Sequence, residues 1–264
     1  MNLGLKGKTA IVSGSTAGIG LAIATALAAE GAAVVINGRT EARVAAALEK
    51  IRGELKEADV RGVAADLGTL DGVETFLNEA PDADILINNL GIFEAKPFAE
   101  ITDADWLRFF EVNVLSGVRL ARYYLPGMLE KNWGRIIFIS SESAVNIPVE
   151  MIHYGMTKTA QVAVARGLAE SVAGTGVTVN SILVGPTRSE GVGSFLDQLA
   201  QQQDVTPEQV EKEFFEKVRP SSLLKRFEKP EEVAAVVAFV ASHQGAIING
   251  AALRADGGVV RAVL

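Results

Sequence analysis

Seven short apolar runs, each parted from the next by a segment long enough for a helix, leave few folds open to this chain. The runs are Thr9-Ala-Ile-Val12, Ala33-Val-Val-Ile36, Val60 to Ala65, Ile85-Leu-Ile87, Arg135 to Ile139, Val177 to Leu183 and Ala251 to Arg254. They show little polar alternation, which suits strands buried on both faces of a parallel sheet. The helical segments between them include an Ala-rich one that follows Gly20 and runs to about Ala29, Glu41 to Glu57, Leu70 to Glu79, 103–131, Tyr154 to Ala173 and Pro230 to Ser242. Thr102-Asp103-Ala104-Asp105 has the form of a helix cap. Strand and helix alternate without a linker-like break or an internal repeat. The pattern predicts one α/β domain over residues 1–264, a doubly wound parallel sheet of seven strands with helices on both faces.

Composition narrows the function. A net charge of −7 argues against nucleic-acid binding through phosphate contacts. The chain has no cysteine and two histidines, His153 and His243, which excludes disulfides, thiolate chemistry and cysteine- or histidine-rich metal sites. The first nine residues lack a signal-peptide core. Ala17 to Ala29 and Val233 to Ala241 are too short to span a bilayer. The expectation is a cytoplasmic protein with no membrane, metal or nucleic-acid partner.

Two clusters carry chemistry. The first is Ser13-Gly14-Ser15-Thr16-Ala17-Gly18-Ile19-Gly20, which follows the first strand and opens a helix. Glycines at that junction let the backbone approach a pyrophosphate, and the helix N-terminus favours its charge. The second is Tyr154 with Lys158, four apart and so on one helix face, preceded by Ser140, Ser141 and Ser143 at a strand end. A nearby ammonium favours the phenolate, so Lys158 is expected to lower the tyrosine pKa and prepare it for proton exchange with an alcohol or ketone. Asn113 lies on the apolar stripe of the long helix with Phe110, Gly117 and Leu120, and a buried amide there needs partners.

These motifs together resemble the short-chain dehydrogenase/reductase family, in particular members like the 3-oxoacyl-carrier-protein reductases. Ser13 to Gly20 is similar to its T-G-x-x-x-G-I-G loop, Asn88-Asn89-Leu90-Gly91 to its N-N-A-G motif, and Ser141 with Tyr154-x-x-x-Lys158 to its catalytic signature. Val184-Gly185 with Ser189 stands where the family has P-G-x-x-x-T. Ser13, Leu90 and Val184 replace threonine, alanine and proline; the last puts the contacts of the loop beside the nicotinamide in doubt. The resemblance implies a Rossmann-type fold and hydride transfer between a nicotinamide cofactor and a carbonyl or secondary alcohol. It implies catalytic roles for Asn113, Ser141, Tyr154 and Lys158, with Asn113 holding a water that connects Lys158 to solvent. It implies cofactor contacts from Gly14, Ser15, Thr16, Gly18, Ile19, Gly20, Asp66, Leu67, Asn89, Gly91, Tyr154, Lys158, Gly185, Thr187 and Ser189.

The end of the second strand, Asn37-Gly38-Arg39, carries no carboxylate to bond a ribose hydroxyl and offers a guanidinium for a phosphate. The cofactor expected is therefore NADP, with NAD the alternative if Arg39 merely lines the adenosine pocket. A non-catalytic dinucleotide-binding sensor is a further alternative.

Residues 189–226 occupy the place of the family's substrate lid. Apolar Phe195, Leu196, Leu199, Val210, Phe214 and Phe215 recur at helical spacing, acidic Asp197, Asp204, Glu208 and Glu213 fall between them, and Thr206-Pro207-Glu208 reads as a helix start. Two short helices closing over the site are expected. Aromatics around the long helix, Trp106, Phe109, Phe110, Tyr123 and Tyr124, suggest a second partner for it and a homo-oligomer, tetramer or dimer, as the family commonly forms.

Overall fold

The computed structural model describes residues 3–203 and 205–263, apart from the side chains of residues 191, 194, 195, 197–199 and 203. Asp204 and the side chains of Phe195, Asp197 and Leu199, named above for the lid, thus lie outside the described residues. Seven parallel strands form one sheet: β1 (Thr9–Val12), β2 (Ala33–Gly38), β3 (Val60–Ala64), β4 (Ile85–Asn88), β5 (Gly134–Ser141), β6 (Val177–Val184) and β7 (Ala252–Ala255). Their order is β3-β2-β1-β4-β5-β6-β7. Val12 faces Ile36 on one side and Ile87 on the other, so the winding reverses between β1 and β4. In such sheets the crevice beyond the strand ends at that reversal is where ligands bind.

Helices cover both faces. Helices α1 (Gly18–Ala29), α2 (Glu41–Glu54) and α9 (Pro230–Val240) pack Ile23, Leu27, Val44, Ile51 and Val237 on one face. Helices α3 (Leu70–Glu79), α5 (Ser116–Glu130) and α6 (Ile152–Ser171) pack Val73, Phe76, Leu120, Tyr124, Ala165 and Ala169 on the other. Strands β1, β2, β4, β5 and β6 are buried along nearly their whole length, which is why their sequences do not alternate, whereas the edge strands β3 and β7 are partly exposed.

Several boundaries differ from the sequence reading. Helix α2 stops at Glu54, and β7 lies one residue further along. Strand β5 extends beyond Ile139 to Ser141, because the register with β6 continues through Ser141 and Val184. The expected single helix over 103–131 is three pieces: α4 (Asp103–Phe110), a π-helical turn (Glu111–Leu115) and α5. The turn carries Asn113, whose side chain bonds partners outside the helix, and wide turns of this kind are frequent at functional sites. The cap of α4 is as expected, with Thr102 and Asp105 bonding each other's backbone amides.

Helices α7 (Glu190–Gln203) and α8 (Pro207–Glu213) form the two-helix excursion, and Thr206 and Gln209 close the predicted cap of α8. A second π-helical turn, Phe214–Val218, follows α8. Leu196, Ala200, Val210, Phe215 and Phe227 give the excursion its own small core. Among the described residues no helix is long and apolar enough to cross a membrane.

Candidate active site

Strand β5 delivers its two terminal serines to different tasks. Ser140 Oγ donates to the Lys158 carbonyl at 2.9 Å, which pins α6 to the sheet. Ser141 lines a cavity of about 640 Å³ together with Tyr154, and its Oγ accepts from the Ser143 amide at 3.1 Å. Phe93, Met151, Val192, Leu196, Val210, Phe214 and Phe227 make most of the remaining wall apolar. Of the three candidate serines, Ser141 and Ser143 face the cavity, and Ser140 is structural.

Behind Tyr154 runs a buried polar chain. Lys158 Nζ lies 5.6 Å from the Tyr154 ring centroid. It donates to the Ile139 carbonyl at 2.9 Å and to Gln161 Oε1 at 3.1 Å. Gln161 Nε2 donates in turn to the Asn113 main-chain carbonyl at 2.6 Å. The Asn113 side chain accepts from the Ile92 amide at 2.7 Å and donates to the Ile92 carbonyl and to Thr157 Oγ1, each at 3.0 Å. Gln161, a residue the sequence reading passed over, thus bonds both Lys158 and the Asn113 main chain. Its signal was there: a glutamine three positions after Lys158 shares its helix face.

The electrostatics correct another expectation. Burial pushes the Tyr154 phenol up to about 12; a hydrogen bond with Ser141 opposes this, the Glu142 carboxylate adds to it and the Arg219 guanidinium opposes it. Burial also brings Lys158 down to about 8. Lys158 therefore does not lower the tyrosine here. Burial is the largest cause of the Tyr154 shift and Lys158 is not among its causes; the lysine ammonium is engaged by the Ile139 and Gln161 oxygens. His153, beside Tyr154 in sequence, is buried, packs on Phe109 at 4.0 Å between ring centroids and has its pKa pushed down by that burial, so it is structural.

The glycine loop has the backbone shape that a dinucleotide requires. Gly14 and Gly18 have φ of +58° and +54°, which other residues adopt at a cost. A Cβ on Gly20 would stand 2.5 Å from Asn89 Nδ2 and from the Gly14 carbonyl. Ala17 gives the first turn of α1 no side-chain cap, which suits an anion at those amides. Asn89 braces the loop, donating to the Ser13 and Gly14 carbonyls at 3.1 and 2.9 Å. Ser13 Oγ accepts from the Asn89 and Leu90 amides, so serine does the work of the family's threonine. Ser15 Oγ is turned inward to the Val12 carbonyl, and Thr16 packs under Gly38. Asn37, another residue the sequence reading missed, ties the loop to β3: it accepts from the Gly14 amide and donates to the Val63 and Ala65 carbonyls. The residues present fit a bound dinucleotide.

Around that loop, Arg39 is exposed at the end of β2. Asp66 Oδ1 accepts from the Gly68 amide, while Leu67 is buried in the core and offers only its backbone outward. Thr69 caps α3. A Cβ on Gly91 would lie 3.5 Å from Lys158 Nζ and 3.6 Å from Asn113 Oδ1, so these three residues converge. Gly185 packs against Glu228, Thr187 bridges to Glu228 through the backbone, and a Cβ on Gly18 would lie 3.1 Å from Ser189 Cβ. The start of α7 thus touches the glycine loop.

The family model described as short chain dehydrogenase matches residues 8–200. The chain belongs to the short-chain dehydrogenase/reductase family. It is 49% identical over 263 residues to the "Uncharacterized oxidoreductase YvaG" of Bacillus subtilis, covering 100% of both. It is 31% identical over 263 residues to the 3-oxoacyl-[acyl-carrier-protein] reductase of Aquifex aeolicus, covering 98% of this chain and 100% of the relative. Its fold matches L-sorbose reductase from Gluconobacter frateurii, solved with NADPH and L-sorbose, with a TM-score of 0.94 at 30% identity over 100% of both chains. As a short-chain dehydrogenase/reductase it is an oxidoreductase, and its seven-stranded Rossmann-type sheet is the one the motifs implied.

Proposed function

We propose that this chain is an NADP-dependent reductase of carbonyl compounds, with the reverse oxidation of secondary alcohols open to it. The observation that carries the reading is the single cavity that Ser141 and Tyr154 share, backed by Lys158 and Asn113. When bound, the nicotinamide supplies the hydride. Ser141 and Tyr154 hold the substrate oxygen by hydrogen bonds, and Tyr154 donates its proton as the alkoxide charge develops. The phenol, raised by burial, stands as a proton donor at neutral pH. Lys158 would hold the ribose hydroxyls with whatever N–H its two internal acceptors leave. Tyr154 stays oriented by α6 and the edge of Phe93, whose ring centroid lies 6.4 Å away.

Glycine-loop amides from Gly14 to Gly20, including those of Ser15, Thr16 and Ile19, would meet the pyrophosphate. Asp66 and the Leu67 backbone would meet the adenine, Asn89 and Gly91 the ribose, and Gly185, Thr187 and Ser189 the nicotinamide. Arg39 would meet the adenosine phosphate, with no carboxylate at the end of β2 to oppose it. The sorbose reductase carries NADPH, which supports the same cofactor here. The apolar wall from α7 and α8 supports a lid over 189–226 and a substrate with hydrophobic surface. Leu107, Phe110 and Tyr123 remain exposed on α4 and α5, which supports a homo-oligomer through that face. NADPH oxidation followed against a panel of 3-oxoacyl thioesters, sugars, cyclic ketones and aromatic aldehydes, with NADH in parallel, tests the reading. No oxidation above background with any of them contradicts it.

A further inference from the structure

The segment that leaves the second π-helical turn borders two cavities. Arg219 lines the one that holds Ser141 and Tyr154, and Pro220 lines another, of about 720 Å³, that shares no residue with it. Lys225, Arg254 and Arg261 line this second cavity, together with Ser221, Ser222 and Asp256. All three cations are exposed. Their gathering on one concave wall runs against the net charge of the chain, which is −7.

Cations that serve the fold of this chain stand beside carboxylates, as Arg226 does with Glu232 and Lys131 with Asp82 and Asp84. Among the described residues Lys225, Arg254 and Arg261 have no such partner. Lys225 Nζ donates to the Pro220 carbonyl at 2.8 Å. Arg254 Nη1 donates to the Val260 carbonyl at 3.4 Å and to the Ala262 carbonyl. These acceptors are neutral, so they hold two of the charges in place and cancel neither. The carboxylate of the wall is turned to the backbone: Asp256 accepts from the Gly258 and Val260 amides at 3.0 Å each. Ser222 Oγ accepts from the Lys225 amide at 3.2 Å and keeps its own O–H to donate.

Like charges gathered without a counter-charge repel one another, and a concave wall lined by one sign of charge concentrates ions of the other sign. Several fixed cations suit an anion that carries several charges. The planar forks of Arg254 and Arg261 match the paired oxygens of a phosphate or a carboxylate. The volume is that of a small-molecule site.

We propose that this cavity binds a small, multiply charged anion, a phosphate ester or a di- or tricarboxylate, through Lys225, Arg254 and Arg261, with the Ser221 and Ser222 hydroxyls donating to it. The site shares no residue with the glycine loop and is independent of which carbonyl the chain reduces.

Calorimetric titration of the whole chain with inorganic pyrophosphate and with citrate, with NADPH at saturation, tests the proposal. Saturable binding at one equivalent per chain is expected, weakening as salt is added. Arg261→Gln should weaken it at least about tenfold, as for the loss of one charge-assisted contact. Arg261→Gln combined with Lys225→Gln should abolish it. Both side chains lie outside the catalytic cavity, so NADPH affinity should stay at the wild-type level and shows that the variants are folded. Pyrophosphate binding alone with this variant response narrows the ligand to phosphate esters, and citrate binding alone narrows it to polycarboxylates; either supports the site. Binding of neither probe at millimolar concentration overturns it, as does binding that both variants leave unchanged. Hydrogen exchange on the same samples locates the anion. Protection is expected in 220–225 and 254–261. Protection confined to Gly14–Gly20 would assign the anion to the dinucleotide loop and overturn the proposal.

Discussion

Gln161 binds Lys158 and Asn113 at once: its Oε1 accepts from Lys158 Nζ at 3.1 Å while its Nε2 donates to the Asn113 carbonyl at 2.6 Å. The amide is 1% exposed, so neither bond has water as a ready substitute. Gln161 is thereby a positioning residue for the lysine behind Tyr154. It stabilises the charged ammonium against the burial that brings Lys158 down to about 8.

Gln161→Leu removes that acceptor and lowers the Lys158 pKa further, whereas Gln161→Glu raises it. Competitive acetylation of Lys158 in the free protein, followed by peptide mass across pH, measures both. Cofactor affinity should be lost on the alkaline side at a lower pH in Gln161→Leu and at a higher pH in Gln161→Glu. Identical titration curves in the two variants would remove Gln161 from this role.

Arg39→Asp exchanges a cation for a carboxylate that repels a phosphate and accepts from a ribose hydroxyl. The preference for NADPH over NADH should fall by at least about tenfold, from the loss of one charge-assisted contact. Fluorescence titrations with the two cofactors give the ratio, and an unchanged ratio places Arg39 outside the phosphate contact.

Glu228 is a buried carboxylate lodged against Gly185, near Asp256, and without a well-formed hydrogen bond to either oxygen. Burial first and the Asp256 charge second raise its pKa to about 7, against which approaches to the Gly185 amide and the Thr187 hydroxyl pull only weakly. Between its ordinary value and 7 the folded chain keeps a proton that the unfolded chain has released. Stability from this group therefore falls as pH rises through that window. Glu228→Gln should be more stable than wild type by about 1–3 kcal/mol at pH 8, with the difference fading as pH falls from 7 towards 4.5. Urea melts at several pH values check this, and a pH-independent difference would contradict it.

Leu107 is 71% exposed on α4, and Phe110 and Tyr123 are half exposed along the same continuous segment. Phe109 and Tyr124 are buried within the chain, so the aromatics divide between an internal and an outer face. Light scattering at micromolar concentration should return a multiple of 27.8 kDa, and Leu107→Asp should lower it. A wild-type mass equal to one chain would refute the oligomer.

What the sequence made legible follows from range. Apolar runs, glycines at a strand–helix junction and residues four apart on a helix are local signals, and β1 to β7, the Gly14–Gly20 loop and the Tyr154–Lys158 pair followed from them. Arg219 and Glu142 stand 77 positions apart, and no local pattern pairs them. The π-helical turn at Glu111–Leu115 was hidden because the apolar stripe continues through it with nearly helical spacing. The sign of the Tyr154 shift was misread for another reason: the lysine charge is visible in sequence, but the burial that overrides it is not.

The central claim is that Tyr154 moves the substrate proton within an NADP-dependent site. Stopped-flow NADPH oxidation by wild type and Tyr154→Phe, with cofactor affinity measured on the same samples, tests it most directly. The variant should bind NADPH with nearly wild-type affinity, since the ring packing of Tyr154 survives, and should lose at least about a hundredfold in rate. A variant rate within tenfold of wild type would contradict the account.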